Sequence, residues 1–196
     1  MESKKRLTTV PFSPERLSDL EKFCKSCDQT GYTNNNTISS MRLDWCLKND
    51  GQFFLTYCDG IIISVSGCHP LPEVGPNVYR ILFRGATLKD YQNLFGVLSK
   101  THMTSIPFYE HIPLALEWAK DKALTFVITT NWANPDGIES MSRSHSVLGL
   151  LARQGIVDCL IEKMKLFYTD QTVWKLNIDS YFNAREQFKQ RHNLND

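Results

Sequence analysis

The sequence predicts an α/β fold with a mixed, mostly antiparallel central sheet and helices on both faces. Three observations carry that expectation. In QFFLTYCDGIIISVSGCHPL two β-rich runs flank Asp59-Gly60, a dipeptide that supplies the positive φ angles of a tight hairpin turn. The helical stretch LALEWAKDK leads at once into LTFVITT, the alternation that accompanies parallel pairing. VDCLIEKMKLFYTDQTVWKLNID then reads as two further strands around a turn at Thr169-Asp170.

Bulk composition suits a single domain spanning 1–196. A chain of 196 residues, 42% hydrophobic and 22% charged, is long enough to bury a sizeable core. Twenty-two basic residues against twenty-one acidic ones leave a formal charge of +1, so no overall field draws it to nucleic acid or to an anionic membrane. A partner of that kind has to be met by a local patch. The apolar run Ile61 to Val65 is far short of the roughly 20 residues a membrane helix needs. MESKKRLTTVPF lacks the apolar centre of a signal peptide, so a soluble, cytoplasmic protein with no membrane partner is expected.

Three parts are expected: an N-terminal helical segment (1–50), a core (51–178) and a C-terminal helix (179–196). FSPERLSDLEKFCKSC opens with Ser13 as a cap, Pro14 at the first helical position and Glu15 in the first turn, and the helix should end near Cys27. A polar stretch follows, in which Met41, Leu43, Trp45 and Leu47 form a short helix or strand. After the hairpin, NVYRILFRGATL alternates Val78, Arg80, Leu82 and Arg84 against Tyr79, Ile81 and Phe83 as a third strand, with its turn signal at Gly85. LKDYQNLFGVLSK has helical spacing. THMTSIPFYEHIP holds two prolines that should break a helix, which makes it a candidate functional loop, and Pro113 can start the next helix. NWANPDG is a loop, IESMSRSHSVLGLLARQG a helix stopped at Gly155, and the tail a polar helix with Tyr181, Ala184, Arg185 and Phe188 on one side.

Six cysteines make no disulfide framework. Cys24 and Cys27 form a C-x-x-C that could join Cys46, Cys58, Cys68 or His69 around zinc, but a second tight pair is missing. Their helical spacing with Leu17, Leu20 and Phe23 places them in the core instead, and no metal site is assigned.

An N-terminal helical segment followed by β, β, β, α, β, α, β, β resembles the GCN5-related N-acetyltransferase (GNAT) fold over roughly Phe12 to Ile178. The resemblance implies an acyl-CoA N-acyltransferase-like sheet in which two neighbouring parallel strands, here NVYRILFRG and LTFVITT, splay to accept the pantetheine arm of acetyl-CoA or another acyl-CoA. It also implies pyrophosphate held by amides at a helix start. The family's R or Q-x-x-G-x-G or A signature does not occur; Arg84-Gly85-Ala86 is a fragment of it. Two registers stay open. In the first, the cofactor cradle draws on Thr101, His102, Thr104 and Ser105, with Arg84 on the strand before it and Asn131 at the end of LTFVITT; in the second it is Asn134, Gly137 and Ser140, beside Glu139.

Acyl transfer needs a base for the attacking amine and an acid for the leaving thiolate. Tyr168 is the candidate acid, and Glu110, beside His111, lies next to the implied cleft; an exposed loop pair is the plainer reading of Glu110 and His111, and packing that of Tyr168, Tyr79 and His145. Two functions are carried forward. One is an acyl- or aminoacyl-transferase that uses an acyl-CoA or similar activated donor and a small-molecule or macromolecular amine acceptor. The other is a non-catalytic GNAT-like module that binds protein or nucleic acid through Arg80, Arg84, Lys89 and Lys100 or the KQRH tail. No G-x-S-x-G, H-E-x-x-H or P-loop is present to support hydrolase or nucleotide-triphosphatase chemistry.

Overall fold

The computed structural model describes residues 7–27, 42–92, 105–131, 147–166 and 168–192. Among them are seven strands: β1 (Leu7–Pro11), β2 (Gln52–Cys58), β3 (Ile61–Pro70), β4 (Val78–Thr87), β5 (Thr125–Asn131), β6 (Val157–Leu166) and β7 (Thr169–Leu176). They form one sheet in the order β1-β2-β3-β4-β5-β7-β6. The β1–β2, β2–β3, β5–β7 and β6–β7 pairs are antiparallel, and β4–β5 is parallel. The expected mixed, mostly antiparallel sheet is present. The helices are α1 (Leu17–Ser26), α2 (Leu43–Lys48), α3 (Ile112–Trp118), α4 (147–153) and α5 (Ile178–His192).

The chain divides into two compact units, and one of the points where it passes between them falls within β4, between Arg80 and Ile81. The first holds β1 to β3, the later half of β4, and α1 to α3. Its hairpin is the one the sequence announced: Asp59 and Gly60 take φ of 51° and 79°, the pair of positive values a two-residue primed turn requires. Because side chains alternate along a strand, Leu55 and Val65 point to one face while Thr56 and Ser66 point to the other. On the first face α1 buries Leu20, Phe23 and Cys24 against Phe53, Leu55 and Val65. On the second lies the segment before α3, whose His111 meets Thr56 and Ser66. Helices therefore cover both faces of this part of the sheet.

Cys24 and Cys27 sit in the α1 core cluster, as their spacing predicted, and Cys46 joins them there. Burial pushes the Cys24 and Cys46 thiols up to about 12, so both are protonated at neutral pH and behave as small apolar side chains.

The second unit holds the start of β4, β5 to β7, α4 and α5. The β4–β5 ladder comprises Val78↔Thr125, Tyr79↔Phe126 and Arg80↔Val127. Val78, Val127, Leu166 and Val173 make this unit's apolar centre with Leu71. Trp174 donates its indole Nε1–H to Thr130 Oγ1 at 3.0 Å, so its polar end is satisfied inside the sheet. Gly155, at φ 69°, follows α4 where the sequence placed a stop. Tyr181 and Phe188 anchor the buried side of α5.

Four local expectations change. A strand, β1, stands ahead of the first helix, within the segment expected to be helical. Gly85 does not end β4, which continues to Thr87. The β6–β7 turn is at Tyr168 and not at Thr169-Asp170, because Leu166 already pairs with Thr169 and both Thr169 and Asp170 belong to β7. The segment with two prolines is helical from 106 to 118, with a π turn at Pro107–His111. Pro107 occupies its first positions, where no N–H is needed, and the wide turn, closed by Ile112 N–H donating to the Pro107 carbonyl, comes just ahead of Pro113. The helix expected over LKDYQNLFGVLSK starts as a 3₁₀ turn at Lys89–Tyr91; its remainder, NWANPDG, Met141 and His145 lie outside the described residues.

Candidate functional site

The later half of β4 is not a regular strand. Leu82 and Arg84 hold φ of 59° and 50°, left-handed values that L-residues seldom take. Each costs on the order of 1–3 kcal/mol and persists only where the surroundings impose it. Here Phe83, between them, is 4% exposed and packed into the α1 core, so its anchoring fixes the distorted backbone on either side. Such irregularities turn peptide groups out of the ladder and gather next to functional sites.

A cavity of about 310 Å³ lies against this distorted stretch, walled by Leu82, Gly85, Ala86 and Thr87 of β4, by Gln92, and by Ser105, Pro107 and Phe108 from the start of the helical segment. That size is at the lower end of small-molecule sites. A Cβ at Gly85 would make ordinary van der Waals contact, 3.4 Å from the Leu82 carbonyl oxygen and 3.7 Å from Ser66 Cβ, so only a larger side chain would intrude on the cavity. The polar walls are held in place. Ser64 Oγ–H donates to the Ala86 carbonyl at 3.0 Å, so Thr87 donates to Ser64 Oγ at 2.9 Å. Gln92 Nε2 donates to the Thr87 carbonyl at 3.2 Å. Ser105 caps the helical segment: its Oγ accepts from Phe108 N–H at 3.4 Å and its carbonyl accepts from Tyr109 N–H at 3.0 Å.

Next to the cavity a polar chain runs along this face of the sheet, under the helical segment. His111 is 1% exposed, with Ser66 Oγ at 2.8 Å from Nδ1 and Thr56 Oγ1 at 2.8 Å from Nε2. Thr56 and Thr9 are cross-strand partners whose hydroxyls lie 3.0 Å apart, and Thr9 Oγ1–H donates to Glu110 Oε2 at 3.3 Å. Burial pushes the His111 imidazole down to about 3, which keeps the ring neutral.

The expected site residues are distributed as follows. Ser105 reaches the cavity. Arg84 contributes its backbone bend, and its guanidinium lies over the Phe83 ring, 6.0 Å from the centroid. Thr104 lies outside the described residues, as do Thr101, His102, Asn134, Gly137, Glu139 and Ser140. Glu110 and His111 are not an exposed loop pair: both belong to the π turn, with His111 buried and Glu110 half-buried. Asn131 ends β5 in the second unit, exposed and in register with Gln171. Tyr168 stands at the β6–β7 turn of that unit with φ 75° and 91% exposure. Sequence reasoning missed Thr9, Thr56, Ser66 and Gln92. Nothing local marks them, because Thr9 and Thr56 are 47 positions apart and Thr56 and His111 are 55 apart.

Neither a protein-family model nor a curated sequence matches the chain. Solved structures do. A protein of the GNAT family from Desulfovibrio desulfuricans is similar with a TM-score of 0.58 at 11% identity, over 88% of this chain and 99% of that one. The ribosomal-protein-S18-alanine N-acetyltransferase of Escherichia coli is similar with a TM-score of 0.55 at 11% identity, over 87% of this chain and 93% of that one. The AHL synthase LasI gives 0.51 at 13% identity, over 88% and 90%. At these identities the likeness is one of fold. The strand order and these likenesses agree that the chain has the fold of the GCN5-related N-acetyltransferases.

Proposed function

We propose that the chain is an acyltransferase that moves an acyl group from an acyl-CoA or a similar activated donor to an amine. The observation that carries the reading is the distorted end of β4 with a cavity against it and a capped helix start across from it. A pantetheine arm is a thin, amide-bearing chain that binds by lying along backbone groups in a slot. The Leu82–Thr87 stretch is bent by two left-handed residues, and the walls at Gly85 and Ala86 are small enough to let a ligand reach the backbone. The start of the helical segment at Ser105 adds the positive end of a helix dipole for an anionic group.

Parallel pairing of β4 with β5 favours the first register, in which these two strands are the family's splayed pair and the cradle follows β4. In this reading Ser105 contacts the donor, Thr104 and Asn131 are further donor contacts, and Arg84 shapes the strand. Glu110 serves as the base at a distance. Tyr168, exposed at a hairpin turn, is the weaker candidate for an acid, since nothing around it excludes water. Among the fold relatives, one is named a ribosomal-protein-S18-alanine N-acetyltransferase and another an AHL synthase. Protein and small-molecule amines are therefore both in scope as acceptors.

The test is to incubate the protein with acetyl-CoA and longer acyl-CoAs together with a panel of peptide and small-molecule amines, reading free thiol and acylated product. Acceptor-dependent thiol release is expected. Failure with every donor, with no binding of any, would leave the non-catalytic module as the better account.

A further inference from the structure

The hydrogen-bonded chain next to the cavity has one direction. A carboxylate has no proton to give, so Thr9 spends its single proton on Glu110. The 3.0 Å contact between Thr9 and Thr56 then needs the proton of Thr56. Thr56 has none left for His111, so the 2.8 Å contact at Nε2 is an Nε2–H donating to Thr56 Oγ1. A neutral ring protonated at Nε2 is bare at Nδ1, and Ser66 Oγ–H donates there at 2.8 Å. Every proton in the line points from Ser66 toward Glu110. At its inner end, Ser66 Cβ lies 3.7 Å from where a Cβ on Gly85 would be, and Gly85 walls the cavity. The outer end, Glu110, is half-buried.

We propose that Ser66, His111, Thr56 and Thr9 form a relay that stores a proton on Glu110 during acyl transfer and returns it. The proposal rests on the acyltransferase reading above. As the amine nitrogen bonds to the thioester carbon, its N–H breaks and an O–H forms on Ser66. Ser66 passes its own proton to His111 Nδ1, His111 passes Nε2–H to Thr56, Thr56 passes its proton to Thr9, and Thr9 passes its proton to Glu110. When the C–S bond breaks, the sequence reverses and the proton goes to the departing sulfur. The sum is one proton moved from nitrogen to sulfur, with no co-reactant and the relay restored. At each end of its travel the imidazole is a neutral tautomer, which suits a ring whose burial opposes charging.

Two measurements on the full-length protein test this. Nitrogen-15 spectra of His111 should show the neutral Nε2–H tautomer at pH 7; an Nδ1–H tautomer or an imidazolium would overturn the relay. Thr9→Val, close in shape and without the hydroxyl, should lower kcat about 10²-fold while the KM for acyl-CoA stays within about twofold, and Thr9→Ser should restore most of kcat. Full kcat in Thr9→Val, or equal losses in the Val and Ser variants, would overturn it. The two readings fail differently. Absence of turnover in the wild type beside an intact Nε2–H tautomer sinks the transferase reading and the relay's task with it, whereas turnover that ignores the Thr9 hydroxyl sinks the relay alone.

Discussion

Replacing His111 with Gln should give a stability loss that depends on pH, with a sign set by burial. The folded ring titrates near 3 against an ordinary value of 6.5. Its neutral state is therefore favoured by folding, and that stability is fully present above pH 6.5 and lost as pH falls from 6.5 toward 3. Over that interval the unfolded chain takes up a proton that the folded chain refuses. Between pH 6.5 and 4.5 the loss is on the order of 2–3 kcal/mol in total. Gln has no such titration. At pH 7.5 the substitution disturbs two buried hydrogen bonds, to Thr56 and Ser66, at about 1–3 kcal/mol each. At pH 4.5 the gap between the two proteins should be smaller by on the order of 2–3 kcal/mol, since the carboxylates titrate in both and cancel. Urea unfolding followed by tryptophan fluorescence at pH 7.5, 6 and 4.5 measures it. A gap that stays constant across that range to within about 0.5 kcal/mol would refute the argument, because a neutral buried imidazole cannot give that result.

Other outcomes follow from local geometry. Gly51→Ala should destabilise the fold by more than about 2 kcal/mol in the same unfolding assay, because its Cβ would fall 2.6 Å from the Cys46 carbonyl oxygen and 2.8 Å from that of Cys68, backbone atoms that cannot yield cheaply. Gly67→Ala should cost about 1–3 kcal/mol, its Cβ meeting the Phe53 ring at 3.1–3.3 Å. Ser105→Ala removes a helix cap and should lower stability by about 0.5–2 kcal/mol, while weakening donor binding in a titration; loss of neither would deny Ser105 both roles. Asp50→Ala breaks the exposed pair with Lys122 and should change stability by under about 1 kcal/mol at moderate salt.

What could be read from the sequence was what local chemistry decides. Asp59-Gly60 dictates a turn by backbone preference alone, and Pro14, Leu20, Phe23 and Cys24 state both the start and the buried side of a helix. β1 escaped because five residues ending in proline give too short a pattern; its place is set by pairing with β2 some fifty positions later. The helix opened by Pro113 was legible, but the π turn at Pro107–His111 ahead of it escaped, because proline rules treat Pro107 as a breaker and such a turn has no sequence mark. The polar chain was the least legible part. Thr9, Thr56, Ser66 and His111 are ordinary residues one at a time, and only the sheet register and the helix above it bring their polar atoms within 3.0 Å.

The most direct test of the account is calorimetric titration of acetyl-CoA and longer acyl-CoAs into the wild type and into Gly85→Val, with circular dichroism to confirm that the variant is folded. The account predicts saturable binding at a single site in the wild type and at least a tenfold weaker response in the variant, whose added side chain fills the slot beside Leu82 and Ser66. Equal affinity in both proteins, or no heat with any thioester, would contradict it.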